Sequence, residues 1–471
     1  MIKYTLKNIK SFTNQYWYIN LVQFFEKAAW WIVIIHIPLY IAQKDSPGGL
    51  HWEQTTKGII YFWWILVQNL TPIFFGYIAD KIGQKRTLIA GNLLVTISYI
   101  LLPFAREFWL FMLLIVGVGI GSALIKPSTL GVLSNQLSKK NEAIGWSLYI
   151  LLLNVAVFTI TPLGKYLHSV SWLAIFWGAA AIMLLQLIAI LFIENKPKPI
   201  ESKLIKHQLK ELFDGILQKR VLFFILPISG FTMLYMQFYE TLPHFIYDWS
   251  DTSELVNYLS LGSNMTMNTD LGKMLSFQYL YMINPLLTTI FILIIANQFK
   301  NSNKLSITII GITLVSIGWM ITGYSMNGFV LISGIIIYSF GEMSTNPKLT
   351  EYMGQISPKD SKSTYMGYLS LSYLIGYSIG ALFGGYMYQH YGEKAGLAAR
   401  YFFEQYGVEV SNKSEAFSKL VNATGLSSRN LTHLLWDTYQ PWTTWLPFFI
   451  IGLISVIALI YYKNRYSKPI L

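Results

Sequence analysis

The stretch FFGYIADKIGQKRTL, residues Phe74 to Leu88, places four charged side chains within seven positions between two apolar segments. Its two glycines permit close approach of helices and a tight turn. Basic residues beside a membrane segment are typical of the cytoplasmic side of the membrane. The stretch therefore predicts a short cytoplasmic turn between two membrane-spanning helices. The residues of this turn motif are Gly76, Asp80, Lys81, Gly83, Lys85 and Arg86.

The composition of the whole chain indicates a membrane protein. Hydrophobic residues make up 54% of the 471 positions and charged residues only 12%, whereas soluble domains contain about 25% charged residues. About 20 apolar residues cross a bilayer as a helix. Runs of this length predict an all-α polytopic membrane protein with about 12 transmembrane helices in two six-helix bundles. The predicted spans are 14–42, 59–79, 87–105, 108–135, 143–168, 171–193, 221–248, 275–297, 305–323, 327–348, 364–390 and 442–462.

The distribution of Lys and Arg predicts the orientation of the chain. With the N-terminus inside, the inner loops and tails hold about 22 basic residues and the outer loops about ten, and the positive-inside rule favours this arrangement. We therefore expect a multi-pass protein of the inner or plasma membrane with both termini in the cytoplasm. The net charge of +12 is then a topology signal and does not indicate a nucleic-acid partner.

The two halves of the chain resemble a faded repeat. The string IADKIGQKRTL follows the second predicted span, and IANQFKNSNKL (Ile295 to Leu305) follows the eighth. Repeats of this kind in transporters place the solute site at their interface near the bilayer midplane. The expected organisation is an N-terminal bundle at 1–193, a cytoplasmic linker at 194–220, and a C-terminal bundle at 221–471 with a long outer segment at 391–440.

Ionisable residues inside the predicted spans point to a solute pathway. A charged residue at the centre of a membrane helix costs about 2.5–3.5 kcal/mol, and such residues mark pathways for substrates or ions. Helical rise places these groups and two asparagines at similar depths, so we expect them to face a central cavity. They are Glu26, Lys27, Lys126, Asn154, Asn284 and Glu342. The alternative for Lys126 is a purely structural charge pair with Glu26.

Several motifs resemble known transporter families. The turn motif is similar to the Gly-x-x-x-Asp-Arg/Lys-x-Gly-x-Arg/Lys-Arg/Lys signature of the major facilitator superfamily, which forms a cytoplasmic latch there. Longer strings resemble the proton-dependent oligopeptide transporters, known as the POT or PTR family. These strings are GVGIGSALIKPSTLGVL around Lys126, SLYILLLNVAVF around Asn154, FQYLYMINPLL around Asn284, and GEMSTNPKLTEYMGQISPK around Glu342. The resemblance implies that the Lys and the Glu bind the two charged ends of a peptide and that the asparagines bind its backbone.

The first span departs from the pattern of that family. Its string QFFEKAAWW has Gln23 where the family carries a titratable Glu, and Lys27 where it carries Arg. Gln does not titrate, and Lys lacks the bidentate fork of Arg. Coupling through Gln23, Glu26, Lys27 and Lys126 is therefore altered relative to the family. Trp30 and Trp31 replace paired tyrosines, where they either line the cavity or pack within the bundle.

These observations predict a secondary active transporter that moves a small peptide-like or zwitterionic solute by alternating access, coupled to protons. The alternative is an exporter or uniporter of another amphipathic compound, drug-like or lipid-like, with altered or absent proton coupling. An enzyme is not expected, because the sequence shows no phosphate-binding loop, metal-ligand cluster or Ser-His-Asp set. We expect a monomer in the lipid bilayer, with no cofactor and no metal.

Overall fold

A computed structural model of the chain describes residues 12–137, 141–194, 219–269, 271–357 and 362–466. Within these ranges, side chains are described except at 73–82, 142, 143, 220, 293 and 362–365. The described chain is almost entirely helical. Helices satisfy every backbone hydrogen bond within the segment, which a bilayer requires.

The first half of the chain forms six long helices. Several contain an interior proline, such as Pro38, Pro127 and Pro162, which neighbouring helices accommodate in membrane proteins. The bounds are α1 Asn14–Ala42, α2 Gln54–Ile82, α3 Gln84–Leu101 with a 3-10 turn Leu102–Phe104, α4 Phe108–Asn135, α5 Glu142–Val170 and α6 Trp172–Leu191.

The second half adds long helices, short helices and a small hairpin. The bounds are α7 Lys219–Glu240, α8 Leu242–Trp249, α9 Ser253–Tyr258, β1 Thr266–Thr269, β2 Gly272–Leu275, α10 Phe277–Gln298, α11 Lys304–Tyr324, α12 Gly328–Ile356, α13 Lys362–Met387, a π turn Tyr388–Gly392, α14 Lys394–Tyr406, a 3-10 turn Lys413–Glu415, α15 Ala416–Thr424, α16 Ser428–Tyr439, a 3-10 turn Pro441–Trp445 and α17 Leu446–Tyr466. The antiparallel pair β1 and β2 was not anticipated from the sequence.

The membrane-spanning prediction is confirmed at the level of fold class. Within the described ranges, ten helical stretches are long and apolar enough to cross a membrane. The part of α10 from Phe277 to Ile292 is a shorter apolar stretch. Each predicted span overlaps one of the long helices. The span predicted at 221–248 ends earlier, because α7 stops at Glu240 and the separate helix α8 follows. The protein is an all-α polytopic membrane protein.

The described residues form two compact units. Unit 1 contains residues 12–36 and 63–194, and unit 2 contains residues 37–62 and 219–466. The expected N-terminal bundle at 1–193 included residues 37–62, whereas in the structure these residues cluster with unit 2. A buried ion pair accounts for part of this difference, since Lys57 Nζ lies 2.8 Å from Glu240 Oε1.

Close helix packing in unit 2 depends on glycine. On α12, a Cβ at Gly341 would come within 2.6 Å of the carbonyl oxygen of Gly311 on α11 and within 2.7 Å of the Val315 nitrogen. Small residues let membrane helices approach at this distance. The contact positions the part of α12 that carries Glu342.

The segment at 391–440 is ordered as three helices attached to unit 2. Ser427 caps α16 by accepting a hydrogen bond from the Asn430 N–H at 3.2 Å. The segment is also bound through its charges, because Lys413 Nζ lies 2.8 Å from Glu53 Oε2 and Arg429 lies 3.1 Å from Asp251. The segment is therefore an integral part of unit 2.

Candidate functional site

The carboxylate of Glu342 is held in place by an amide within unit 2. Asn284 Nδ2 donates to Glu342 Oε2 at 2.7 Å and to Ser339 Oγ at 3.1 Å. Asn284 lies on α10 immediately before the interior Pro285, and Glu342 lies on α12. Both side chains are half-buried. The structure thus brings together two residues that the sequence placed at similar depth, and leaves the carboxylate accessible to a cationic group.

Tyrosines surround Glu342. Tyr235 stacks on Tyr377 with ring centroids 5.6 Å apart, and Phe238 stacks on Tyr338 at 5.4 Å. Aromatic faces carry negative charge and attract cations. The phenols that interact electrostatically with Glu342 are Tyr235, Tyr239, Tyr338, Tyr373 and Tyr377. We name this set, with Glu342, the tyrosine cage.

These tyrosines were not predicted from the sequence as site residues, although a signal was present. Tyr235 and Tyr239 are four residues apart on α7, and Tyr373 and Tyr377 are four residues apart on α13. That spacing puts each pair on one helix face. Nothing in the spacing shows that both faces turn towards the same carboxylate.

In unit 1, the residues predicted for coupling form a connected polar group on α1 and α4. Gln23 Nε2 donates to Glu26 Oε2 at 3.3 Å, and the hydroxyl of Tyr149 on α5 donates to Gln23 Oε1 at 2.9 Å. Glu26 interacts electrostatically with Lys126 of α4 and with Lys27. The amide of Gln23 thus connects the hydroxyl of Tyr149 with the carboxylate of Glu26. A titratable Glu at position 23 would place a second negative charge beside Glu26.

The cations of unit 1 occupy different surroundings. Lys27 Nζ lies 4.1 Å from the ring centroid of Trp30 and 5.5 Å from that of Trp31. An ammonium at these distances is stabilised by the aromatic rings. Lys126 is exposed, and Asn154 on α5 is half-buried. An exposed ammonium near the middle of an apolar helix is available to an anionic group.

The turn motif is only partly described. Gly83 separates α2 from α3 with a φ of 98°, which glycine adopts without strain. Lys85 Nζ donates to the carbonyl of Leu191 at 2.5 Å, and Arg86 is exposed. The side chains of Asp80 and Lys81 and the surroundings of Gly76 lie outside the described part, so the predicted latch stays a prediction.

A further ion pair was not expected from the sequence. Lys57 Nζ lies 2.8 Å from Glu240 Oε1 and donates to the backbone carbonyl of Glu240 at 2.9 Å, and both side chains are fully buried. Glu240 lies at the end of α7, and Lys57 precedes the span predicted at 59–79. Lys57 and Glu240 are 183 positions apart in the sequence, so only the tertiary structure brings them together.

Ionisable residues within the spans of a helical membrane protein mark pathways for solutes or ions, and such pathways are typical of polytopic transporters. The sequence model described as Major Facilitator Superfamily matches residues 19–381. The chain therefore belongs to the major facilitator superfamily, whose members are transporters and not enzymes.

Relatives and solved structures agree with this assignment. The multidrug resistance protein MdtH of Proteus mirabilis (strain HI4320) is 23% identical over 327 residues, 69% of this chain and 75% of the relative. The uncharacterized MFS-type transporter YttB of Bacillus subtilis (strain 168) is 22% identical, over 68% of this chain and 76% of the relative.

The fold is similar to that of POT family transporters. One was solved in complex with a thioalcohol conjugated peptide, with a TM-score of 0.68, 16% identity and 96% of each chain covered. Another was solved with 5-aminolevulinic acid, with a TM-score of 0.69, 16% identity and the same coverage. The resemblance predicted from the sequence is confirmed for the major facilitator superfamily and for the fold.

Proposed function

We propose that this protein moves a small peptide-like or zwitterionic solute across the inner or plasma membrane by alternating access, with proton coupling. Lys126 binds a carboxylate or another anionic group, and Glu342 binds a cationic group. Asn154 and Asn284 supply amide hydrogen bonds to the solute. The protein acts as a monomer with both termini in the cytoplasm, as the distribution of Lys and Arg favours.

The geometry of Glu342 carries the proposal. Its carboxylate accepts a hydrogen bond from Asn284 and lies within the tyrosine cage. A half-buried carboxylate surrounded by aromatic rings favours an ammonium ligand, because the charge and the ring faces attract it together. The exposed Lys126 of unit 1 supplies the opposite charge for the other end of a zwitterion.

The ligands of similar transporters support the same class of solute. The two POT family structures contain a thioalcohol conjugated peptide and 5-aminolevulinic acid. Free peptides and 5-aminolevulinic acid both carry an amine and a carboxylate. A solute of this kind would match an ammonium site at Glu342 and a carboxylate site at Lys126.

The proposed mechanism is a change of charge partners. Lys126 interacts electrostatically with Glu26. A bound carboxylate competes for Lys126, and Glu26 then depends more on Lys27 and on protonation. A ligand shifts a conformational equilibrium only through such differential interactions. The bundles at 1–193 and 221–471, joined by 194–220, would rock in response.

The test is uptake of labelled dipeptides into proteoliposomes with and without a pH gradient. Lys126→Ala and Glu342→Ala should each reduce uptake by about tenfold or more, since loss of a hydrogen bond to a charged group costs about 1.5–3 kcal/mol. The exposed Lys419 and Glu409 provide the control variants Lys419→Ala and Glu409→Ala. Uptake by both site variants at the parental rate would refute the site.

A second candidate function is export of an amphipathic, drug-like compound. The stacking of Lys27 on Trp30 and Trp31 favours it, as do relatives named multidrug resistance proteins. Thermal shift of the purified protein separates the candidates, because a bound ligand raises apparent stability. Stabilisation by aromatic cations and by no dipeptide would favour the exporter.

A further inference from the structure

Two carboxyl groups are buried in unit 2 near the end that carries the hairpin. This hairpin end is formed by residues 43–53, 241–269, 271–276 and 388–445. Asp248 lies on α8 and Glu393 lies directly before α14, and each is 2% exposed. The two groups interact electrostatically. They are not part of the solute site proposed above.

Their hydrogen bonding differs sharply. Asp248 accepts hydrogen bonds from Tyr388 Oη at 2.7 Å, from Gln43 Nε2 at 2.7 Å and from the backbone N–H of Lys394 at 3.3 Å. Neither carboxyl oxygen of Glu393 has a hydrogen-bond partner among the described residues. An ionised carboxylate without a partner is strongly unfavourable in a buried position, and it takes up a proton instead.

Both carboxyl groups border a small void. The void has a volume of about 10 Å³, close to the size of one water molecule. Asp45 and Lys394 line this void and also line a larger cavity of about 290 Å³. Hairpin residues from Met267 to Thr269 line the larger cavity as well. Water in the cavity would bring protons to within a short distance of Glu393.

The surrounding charges leave one carboxylate uncompensated. Lys44 and Lys413 both bind Glu53, at 3.0 and 2.8 Å, and Lys57 binds Glu240. Burial disfavours the charged form of Glu53, but the hydrogen bonds from Lys413 and Lys44 outweigh it and lower the pKa of Glu53. The acids around the void are Asp45, Glu53, Glu240, Asp248 and Glu393, and the ammonium groups are Lys44, Lys57, Lys394 and Lys413. One added proton therefore makes the cluster neutral.

The neighbouring histidine does not supply the missing charge. Burial and the nearby Lys57 hold the pKa of His244 well below its usual range, so the ring is neutral. Burial raises the pKa of Asp248 to about 6. Ammonium groups around the void disfavour a metal ion, and no three metal-binding side chains converge anywhere in the described ranges.

We propose that Glu393, together with Asp248, forms a proton-binding site that is filled from the hairpin end of unit 2. This proton-binding site is separate from the proposed solute site, because it can bind a proton when no solute is bound. It supplies the protein with a titratable group that the first-helix position Gln23 lacks. Protonation neutralises the void, and deprotonation leaves a net negative charge there.

Infrared difference spectroscopy on the full chain in lipid nanodiscs tests the proposal without any solute. As the pH rises from about 5 to about 9, the parent should lose the C=O stretching band of a protonated carboxyl group, with the isotope shift expected in D₂O. Glu393→Gln should remove the part of this band that belongs to one carboxyl group. Glu409→Gln, at an exposed position of the same segment, is the matched control and should leave the band intact.

A second variant keeps the test decisive if Glu393→Gln does not fold. Tyr388→Phe removes one donor to Asp248 and should move the midpoint of the band to higher pH, because the ionised form loses a hydrogen bond. An identical band in the parent and Glu393→Gln, or an unmoved midpoint in Tyr388→Phe, would overturn the proposal. A band lost at constant pH on addition of sodium would assign the site to that cation instead. Failure of dipeptide uptake alone would refute only the solute proposal.

Discussion

Lys57 on α2 and Glu240 at the end of α7 form an ion pair of 2.8 Å in which neither side chain is exposed to solvent. Buried ion pairs add little net stability over apolar residues of similar size, but the loss of one partner leaves an uncompensated charge. The pair therefore fixes where the start of α2 packs within unit 2.

Removal of one partner should be much more harmful than removal of both. Lys57→Met should destabilise the protein by about 3–5 kcal/mol, whereas Lys57→Met combined with Glu240→Leu should recover most of this loss. Thermal unfolding in detergent measures both variants. Lys419→Met removes an exposed partner of Glu415 and serves as a control with an unchanged unfolding temperature. A double variant as unstable as the single one would contradict the interpretation.

The stability of unit 2 should depend on pH through Asp248. Its pKa in the folded protein, about 6, lies above the usual 3.8, so the folded state binds the proton more tightly. The resulting stabilisation is complete below about pH 3.8 and is lost as the pH rises through about 6, by on the order of 3 kcal/mol.

Asp248→Asn cannot titrate and should flatten this dependence. We expect the unfolding temperature of the parent to fall between about pH 5 and about pH 8, and that of the variant to fall less. Asp437→Asn, at an exposed position, is the control and should follow the parent. Equal slopes for all three proteins would exclude Asp248 as the titrating group.

Asn284 should contribute to solute binding through Glu342. Asn284→Ala removes the donor at 2.7 Å and leaves the carboxylate less well oriented, so the Kd of a bound dipeptide should rise by about tenfold. Isothermal titration on the purified protein measures this change. The exposed Asn264 provides the control Asn264→Ala. An unchanged Kd would show that Asn284 does not position the ligand site.

Gly341 should tolerate no side chain. A Cβ there would collide with the backbone of Gly311 and Val315, so Gly341→Ala should cost about 1–3 kcal/mol through overpacking. At Gly354 on the same helix, the nearest atom to an added Cβ is Met366 Cε at 3.7 Å, an ordinary contact. Gly354→Ala should therefore unfold at the parental temperature, and equal destabilisation of both variants would argue against the packing explanation.

Local sequence patterns were enough to predict the class of fold. Apolar runs and positive charge reflect requirements of the bilayer that act on each segment separately. The turn motif from Gly76 to Arg86 sufficed to predict the major facilitator superfamily, which the sequence model confirms. Helical rise placed Asn284 and Glu342 at similar depth, and the structure shows a hydrogen bond between them.

The amino-acid sequence by itself therefore determined that this chain is helical, spans the membrane many times and belongs to its superfamily. Only the tertiary structure decided that tyrosines from α7, α12 and α13 surround Glu342, that Lys57 pairs with Glu240, and that Glu393 is buried with no donor among the described residues. The reason is physical: hydrophobic periodicity records which segments lie in the membrane, whereas the rotation of each helix about its axis is set by packing against segments distant in sequence.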